Sequence, residues 1–304
     1  MRKCWTLCMM MTVLCTALVG CNQMGVKQNP GSTYEQVRDH FSAQPSYAFY
    51  GRTKLLTANS SNANMVNFSG RKDGDAVYMK VKLSVPDEKR VDTLALLNQG
   101  DKLYAKEGND QNWKNVASKD AALQQEMNNW SPIFSFQQMD EMKKNVRQLP
   151  DENPNDDLEA IRVTLDSAKL KTWLATQMRE QTGTGSGTSI QSTSDFKHKP
   201  KLKLAMALSD GNWKKTHAKQ AGPSIQSRMS PDVNDIVDQM DVEAEYTIYY
   251  NKTSMLPTSL SMSIRSVYDL NNQRVHEHSQ VETYLQNYGR VQPLPSPADH
   301  TIEG

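Results

Sequence analysis

The stretch NMVNFSGRKDGDAVYMKVKLS, residues 64–84, contains the clearest fold signal in this chain. Its two halves meet at Asp73-Gly74, and Asp-Gly is a favoured sequence for a tight hairpin turn. After the turn, every second residue is apolar: Val77, Met79, Val81 and Leu83. A period of two places these side chains on one face of a strand. The stretch therefore predicts an antiparallel hairpin with one apolar face and one solvated face.

The same alternation recurs along the 304 residues. A second hairpin is predicted over 93–106, with its turn at 98–101. Further strands are predicted at 46–57, 159–165, 201–208, 242–250, 258–268 and 273–284. We therefore expect roughly eight to ten strands in one antiparallel sheet.

Helical patterns interrupt the strands early and in the middle of the chain. A helix capped by Ser32 or Thr33 should end near Pro45, and residues 167–180 form an amphipathic pattern. The segment 118–148 loses its alternation and predicts two helices, with Pro132 between them. Strands and helices in this arrangement indicate an α+β domain.

The first 21 residues hold all four cysteines of the chain. Arg2 and Lys3 precede an uncharged stretch over 4–20, which is the layout of a secretory signal. Leu18-Val19-Gly20-Cys21 resembles a bacterial lipobox, and that resemblance implies lipidation of Cys21 and removal of residues 1–20. An ordinary signal peptide and an uncleaved signal anchor are the alternatives. The prediction is a protein anchored by lipid to the extracytoplasmic face of the cell membrane.

The composition of the chain limits the kinds of partner and cofactor that we expect it to bind. The formal net charge is only +1, so the chain has no electrostatic signature of a nucleic-acid-binding protein. After cleavage, the one remaining cysteine would carry the lipid, which excludes disulfides and thiolate-bound zinc. We predict no cofactor. The expected organisation is a signal peptide (1–20), a lipidated tether (21–31) and one domain (32–304) with polar loops near 182–200 and 209–240.

Two further segments, QGDKLYAKEGNDQNWKNV (99–116) and VEAEYTIYYNKTSMLPTSLSMSI (242–264), complete a family resemblance. Together with the lipobox and the early helix, they resemble the lipoprotein-carrier superfamily, which includes the outer-membrane lipoprotein carrier and mycobacterial lipid-binding lipoproteins. The resemblance implies a strongly curved antiparallel sheet, a half-barrel, with helices packed on its concave face around an apolar cavity. It brings no residue with a defined chemical role.

Apolar residues of one parity are the candidates for lining that cavity. They are Val77, Met79, Val81, Leu83, Leu204, Met206, Tyr246, Ile248, Leu260, Met262 and Ile264. Methionine side chains suit an adaptable apolar surface. The alternative is that these residues only pack the core.

Patterns with catalytic or metal-binding potential are weak. His276 and His278 share one strand face, but no second histidine cluster accompanies them, so a solvated face is favoured. Asp151, Asn153 and Asn155 have the first spacings of a calcium loop without its later glycine and glutamate. No hydrolase or phosphate-loop motif is present. We predict neither a metal site nor an enzyme.

The function predicted from these patterns is binding or carriage of a lipid or other amphipathic ligand. The alternative is an envelope sensor or assembly factor, whose cavity its own helices fill and which acts through an envelope protein partner. Apolar burial would drive ligand binding in the first case. The polar loops would act as docking elements in the second.

Overall fold

The computed structural model describes residues 29–57, 65–85, 90–108, 110, 112–116, 127–128, 130–150, 157–182, 237–270 and 273–297. Its helices longer than one turn are α1 (Pro30–Ser42), α2 (Pro132–Met142) and α3 (Ser167–Thr182). Its strands are β1 (Ser46–Thr57), β2 (Met65–Asp73), β3 (Ala76–Val85), β4 (Arg90–Gln99), β5 (Lys102–Glu107), β6 (Lys114–Val116), β7 (Lys143–Gln148), β8 (Leu158–Leu165), β9 (Asp241–Asn251), β10 (Pro257–Leu270) and β11 (Gln273–Gln286).

The strands form one antiparallel sheet of 11 strands, in the order β6-β5-β4-β3-β2-β1-β11-β10-β9-β8-β7. Two meanders, β1 to β6 and β7 to β11, are joined where β1 pairs with β11. Within the described residues β6 and β7 are the two edges, and they do not pair with each other. The sheet is therefore open, and the predicted α+β class with one antiparallel sheet is confirmed.

The sheet curves around α1. Phe41 of α1 packs on Tyr47 of β1 with 4.8 Å between ring centroids, and the Lys143 Nζ of β7 lies 5.0 Å from the Tyr34 ring of α1. In a flat sheet, β1 and β7 would lie about 24 Å apart, whereas a helix is about 10 Å wide. One 13-residue helix contacts both strands because the sheet bends, as the half-barrel prediction requires.

Two glycines and two phenylalanines pair reciprocally across β1 and β2. Phe49 lies opposite Gly70, and Gly51 lies opposite Phe68. A Cβ at Gly51 would be 2.4 Å from the Phe68 ring and 2.2 Å from the backbone oxygen of Glu282, while a Cβ at Gly70 would be 2.3 Å from the Phe49 ring. Each ring thus occupies the space that a side chain opposite would need. Glycines of this kind accompany close approach and curvature in sheets.

The helix boundaries differ from the prediction at two places. Asn29, not Ser32 or Thr33, caps α1: its side chain accepts a hydrogen bond from the Gly31 N–H at 3.0 Å, and Pro30 begins the helix. Pro30 and Gly31, which the prediction assigned to the tether, belong to α1. Proline is favoured in the first helical position, since its missing N–H would have no partner there.

The segment after α2 is also different. The prediction of two helices within 118–148 was wrong over Lys143–Gln148, which is strand β7. The break at Pro132 was correct, and α2 begins there. The sequence KKNVRQ contains a single apolar residue because β7 is an edge strand with little buried surface, so it shows no apolar alternation.

The outer face of the N-terminal meander is not entirely solvated, in contrast to the prediction. Ala95, Leu97 and Trp113 form a second buried cluster there, with Tyr78 and Leu294 packed against it. The C-terminal segment that carries Leu294 crosses this face, which explains why β4 is apolar on both sides.

Several predictions lie outside the described residues. They concern Cys21 and the leader, the strand at 201–208 with Leu204 and Met206, the acidic loop with Asp151, Asn153 and Asn155, and nearly all of the polar loops at 182–200 and 209–240. None of the described helices is both long and apolar enough to cross a membrane.

Candidate functional site

The side of the sheet that faces α1 and α2 carries the large core cluster, and we call it the interior face. Five of the predicted cavity residues are buried in this cluster: Met79, Val81, Tyr246, Ile248 and Leu260. Three others, Leu83, Met262 and Ile264, are half-buried and packed against it. Val77 is half-buried on the same strand parity. The structure therefore places the described candidates on one face of the sheet, where some of them are buried and others are half-buried.

One end of the interior face, here called the packed end, is filled by aromatic rings of Tyr34, Phe41, Tyr47, Phe136 and Tyr288. Phe41 lies at the centre, with centroid distances of 4.8 Å to Tyr47 and 5.1 Å to Phe136. Burial raises the pKa of the Tyr47 hydroxyl above its ordinary value. Rings at these distances are in van der Waals contact, so the chain's own helices occupy this end.

A polar network fixes α1 to α2 at the packed end. Asp140 of α2 accepts hydrogen bonds from the Tyr34 hydroxyl at 3.0 Å, from Arg38 at 3.1 Å and from Lys143 at 3.0 Å. Burial opposes ionisation of Asp140, but these donors outweigh it and lower the pKa of its carboxyl. The network holds the helices in place without offering a free group to a ligand.

Two buried polar atoms of the interior face have no hydrogen-bond partner among the described residues: Thr53 Oγ1 and Trp130 Nε1. Thr53 lies in the same cross-strand row as Val281 and Met262. Trp130 stacks on Phe68 of β2 with 6.2 Å between centroids. A buried donor or acceptor without a partner costs about 1–3 kcal/mol. By contrast, the Tyr246 hydroxyl, which is equally buried, donates to Gln138 at 2.8 Å.

The opposite end of the interior face, here called the rim, is less completely buried. Its apolar side chains are half-buried and lie at the margin of the core cluster: Leu83, Met262, Ile264, Val275 and Val281. Four residues on neighbouring strands lie opposite one another in one row here: Thr57 of β1, Glu277 of β11, Ser266 of β10 and Val242 of β9. In the described residues, this is the last row in which these four strands all take part. Aliphatic surface and two buried polar side chains, Glu277 and Ser266, therefore meet at the rim.

Glu277 is the unusual member of that row. Its side chain is only 8% exposed, and its carboxylate Oε1 accepts a hydrogen bond from the Tyr268 hydroxyl at 3.2 Å. Burial raises the pKa of Glu277 to about 7, against the hydrogen bond from Tyr268, which lowers it. A carboxyl group is seldom so buried without a cationic partner.

The two histidines beside Glu277 lie on the other face of β11. The His278 Nε2 is 3.0 Å from Ser263 Oγ, and His276 is exposed. Among the residues that the structure describes, no three His, Cys, Asp or Glu side chains are grouped as metal ligands.

The sequence analysis missed Glu277 because it considered only the two histidines that flank it. A signal was available, since Glu277 shares the parity of Val275 and Val281, both of which pack against the core. A charged residue in an apolar series is the pattern that marks a buried carboxyl group.

No protein-family model and no curated protein sequence match the chain. Solved structures with a distant likeness exist. The lipoprotein LppX of Mycobacterium tuberculosis is 11% identical, with a TM-score of 0.37, over 88% of this chain and 97% of that protein. LprF from Mycobacterium bovis is 12% identical, with a TM-score of 0.37, over 88% and 96%.

A LolA-superfamily protein from Nitrosomonas europaea is a further example. It is 9% identical, with a TM-score of 0.27, over 88% of this chain and 94% of that protein.

Proposed function

We propose that this chain is a lipid-anchored, extracytoplasmic, non-enzymatic protein that binds a lipid or other amphipathic ligand against its interior face. The observation that carries the proposal is the rim. Its half-buried aliphatic side chains are continuous with the core, and they adjoin the buried polar side chains of Glu277 and Ser266. An amphipathic molecule matches that combination, since its chain and its head group need different surroundings.

Apolar contact supplies the driving force. Each Å² of apolar surface removed from water contributes about 25 cal/mol, and the half-buried side chains of the rim still have such surface to cover. The candidates split accordingly. Leu83, Met262 and Ile264 are proposed as ligand contacts, whereas Met79, Val81, Tyr246, Ile248 and Leu260 support them from within the core. Val77 of β3 is half-buried and has the same parity, but it belongs to neither of these two sets.

Cys21 is the proposed attachment point. One lipidated residue with two or three acyl chains holds a protein on a membrane durably, because each buried methylene contributes about 0.8 kcal/mol. Because α1 begins at Pro30, the segment between Cys21 and the domain is short. A Cys21→Ala variant should move to the soluble fraction of the exporting cell. An unmodified Cys21 in the mass spectrum of membrane-extracted protein would overturn the anchor.

Ligand binding is tested by native mass spectrometry of protein purified without detergent. The expected result is a bound species of lipid-like mass, which Met262→Asp should remove. Ser259→Asp is the matched control, because it places the same charge on the outer face of the same strand. Circular dichroism establishes that both variants are folded. A ligand-free wild type that takes up no fluorescent fatty amine or alcohol would contradict the proposal.

An envelope sensor or assembly factor is the second candidate, and two observations favour it. The packed end is filled by the chain itself, and exposed tyrosines lie on the outer face. Tyr50 and Tyr284 stack there at 5.2 Å, with Tyr249 two strands away. A photo-cross-linking residue at Tyr284 should then capture one dominant envelope protein. A matched position at Lys80, on the same face of β3, should capture far less.

A further inference from the structure

Glu277 and its surroundings define the polar half of the proposed ligand, and this inference rests on the proposed function. The interior face is otherwise lined by aliphatic and aromatic side chains and by a few uncharged polar ones, such as Thr53, Ser266 and Thr283. Glu277 is the one carboxylate that is classed as buried in the described part of the chain. Its position and its neighbours indicate which kind of head group it can accept.

The first step is position. β1 ends at Thr57, opposite Glu277, and β9 begins at Asp241, opposite Val267 of β10. Within the described residues, the pairing beyond Val267 continues in the β10–β11 hairpin alone, from the pair Tyr268 and Val275 onward. Glu277 thus lies where the described part of the sheet narrows from four strands to two. A ligand whose chain covers Met262 and Ile264 along β10 would bring its polar end to this row.

The second step is charge. The basic residues of the same hairpin belong to the opposite parity: Arg265 is exposed on the outer face, and Arg274 pairs there with Asp269 at 3.4 Å and Asp241 at 3.9 Å. No ion pair to Glu277 occurs among the described residues. The Tyr268 hydroxyl is its hydrogen-bond donor. A buried charge without a partner is costly, and a cation placed beside it recovers much of that cost.

We propose that Glu277, together with the Tyr268 hydroxyl, binds the cationic amine head group of the ligand. The ammonium group donates a charge-assisted hydrogen bond to the carboxylate, while the alkyl chain covers the aliphatic side chains of the rim. A neutral alcohol gains only the apolar contacts. A carboxylate head group would face a like charge and is disfavoured at this site.

The raised pKa of Glu277 agrees with this assignment, since its cause is burial, which disfavours the ionised carboxyl group. Binding of an ammonium group would lower that pKa, because an opposite charge favours the ionised form.

The experiment compares three ligands with the same twelve-carbon chain: dodecylamine, dodecanol and dodecanoate. Affinities are measured at pH 8 by displacement of a fluorescent alkyl probe, below the concentrations at which the ligands form micelles. The wild type should bind the amine at least tenfold more tightly than the alcohol, and the carboxylate most weakly. Glu277→Gln should abolish this preference and retain the affinity for dodecanol.

Two controls separate the head-group site from general effects of charge and folding. Glu282→Gln removes a carboxylate from the outer face of the same strand, where it pairs with Arg52 at 2.6 Å, and should leave the preference unchanged. Tyr268→Phe removes one hydroxyl and should reduce the preference severalfold. Equal affinity for the three ligands, or a preference that survives Glu277→Gln, overturns this inference and leaves the proposed function standing. Failure of all three ligands to bind overturns both.

Discussion

The two ends of the interior face belong to the same sheet but differ in how their side chains are packed. At the packed end, aromatic rings from α1, α2 and β1 lie within about 5 Å of one another, and an ion network holds the two helices. At the rim, the side chains are aliphatic, half-buried and adjacent to a buried carboxyl group. One end of the curved sheet thus supplies stability, whereas the other leaves apolar side chains partly uncovered, as the proposed function requires.

The largest expected effect is at the bend that both ends share. Gly51→Ala would place a Cβ 2.2 Å from the Glu282 backbone oxygen, an overlap that only a shift of β1 against β11 can relieve. We expect a loss of about 4 kcal/mol or more in the free energy of unfolding, measured by denaturant titration. Gly31→Ala, whose Cβ would lie 3.4 Å from the Asn29 side-chain oxygen, is the control and should change stability by less than about 0.5 kcal/mol. Similar values for the two variants would contradict the role of Gly51 in the bend.

Truncation at the packed end should affect stability alone. Phe41 is 1% exposed and contacts rings of β1 and α2, so Phe41→Ala should cost about 3–5 kcal/mol. The half-exposed Tyr50 provides a control, since Tyr50→Ala on the outer face should cost less than about 1 kcal/mol. Affinity of folded Phe41→Ala for an alkyl ligand should match the wild type. A selective loss of affinity would place the ligand at the packed end.

Glu277→Gln should stabilise the rim in a manner that depends on pH. The pKa of Glu277 is about 7 in the folded protein against an ordinary 4.5, so its protonated form stabilises the fold below pH 4.5, and this contribution is lost as pH rises through 7. Glutamine stays neutral throughout. The variant should therefore match the wild type near pH 4.5 and exceed its stability by about 3 kcal/mol at pH 8.

Denaturant titrations at several pH values test this trend. The lowered pKa of Asp140 has the opposite effect: its ionised carboxylate stabilises the fold, and this contribution is lost only as pH falls below the ordinary pKa of 3.8. It therefore does not affect the comparison between pH 4.5 and pH 8. Glu282→Gln should show no such stabilisation at pH 8. A pH-independent difference between Glu277→Gln and the wild type would mean that Glu277 is solvated.

The smallest effect on stability should come from Met262→Ala at the rim. Its side chain is half-buried, so truncation should cost about 1 kcal/mol in folding. Loss of a similar contact with a ligand would weaken dodecanol binding roughly fivefold. The measurement is the displacement assay described above. An unchanged affinity would exclude Met262 from the ligand surface and weaken the distinction between the two ends.

The sequence predicted those parts of the fold in which every second residue is apolar. Strands β3 and β9 followed from Val77 to Leu83 and from Val242 to Tyr250, because burial of one face requires that period. Strand β7 was missed since an edge strand exposes most of its side chains. The cap of α1 was misplaced because Asn29 precedes Pro30, whereas the later Ser32 and Thr33 are equally good capping residues by type.

The candidate site was only partly predictable. Parity identified which residues face inward, but not which of them α1 and α2 would cover, since that depends on contacts between distant segments. Phe41 and Phe136, for example, are far apart in the chain and in contact in the fold. The Phe49/Gly70 and Gly51/Phe68 pairs have a recognisable sequence pattern, because FYG (49–51) and FSG (68–70) both place phenylalanine two residues before glycine.

The pairing of β1 with β11 has a consequence for folding kinetics. Among the described strands, every other pair joins strands that follow one another in the chain, whereas the partners in this pair lie roughly 230 residues apart, so closing the intervening loop carries the largest entropic cost. During synthesis, β1 cannot pair with β11 until the residues between them have been made. The concave surface that the two meanders share is therefore assembled only when β11 arrives.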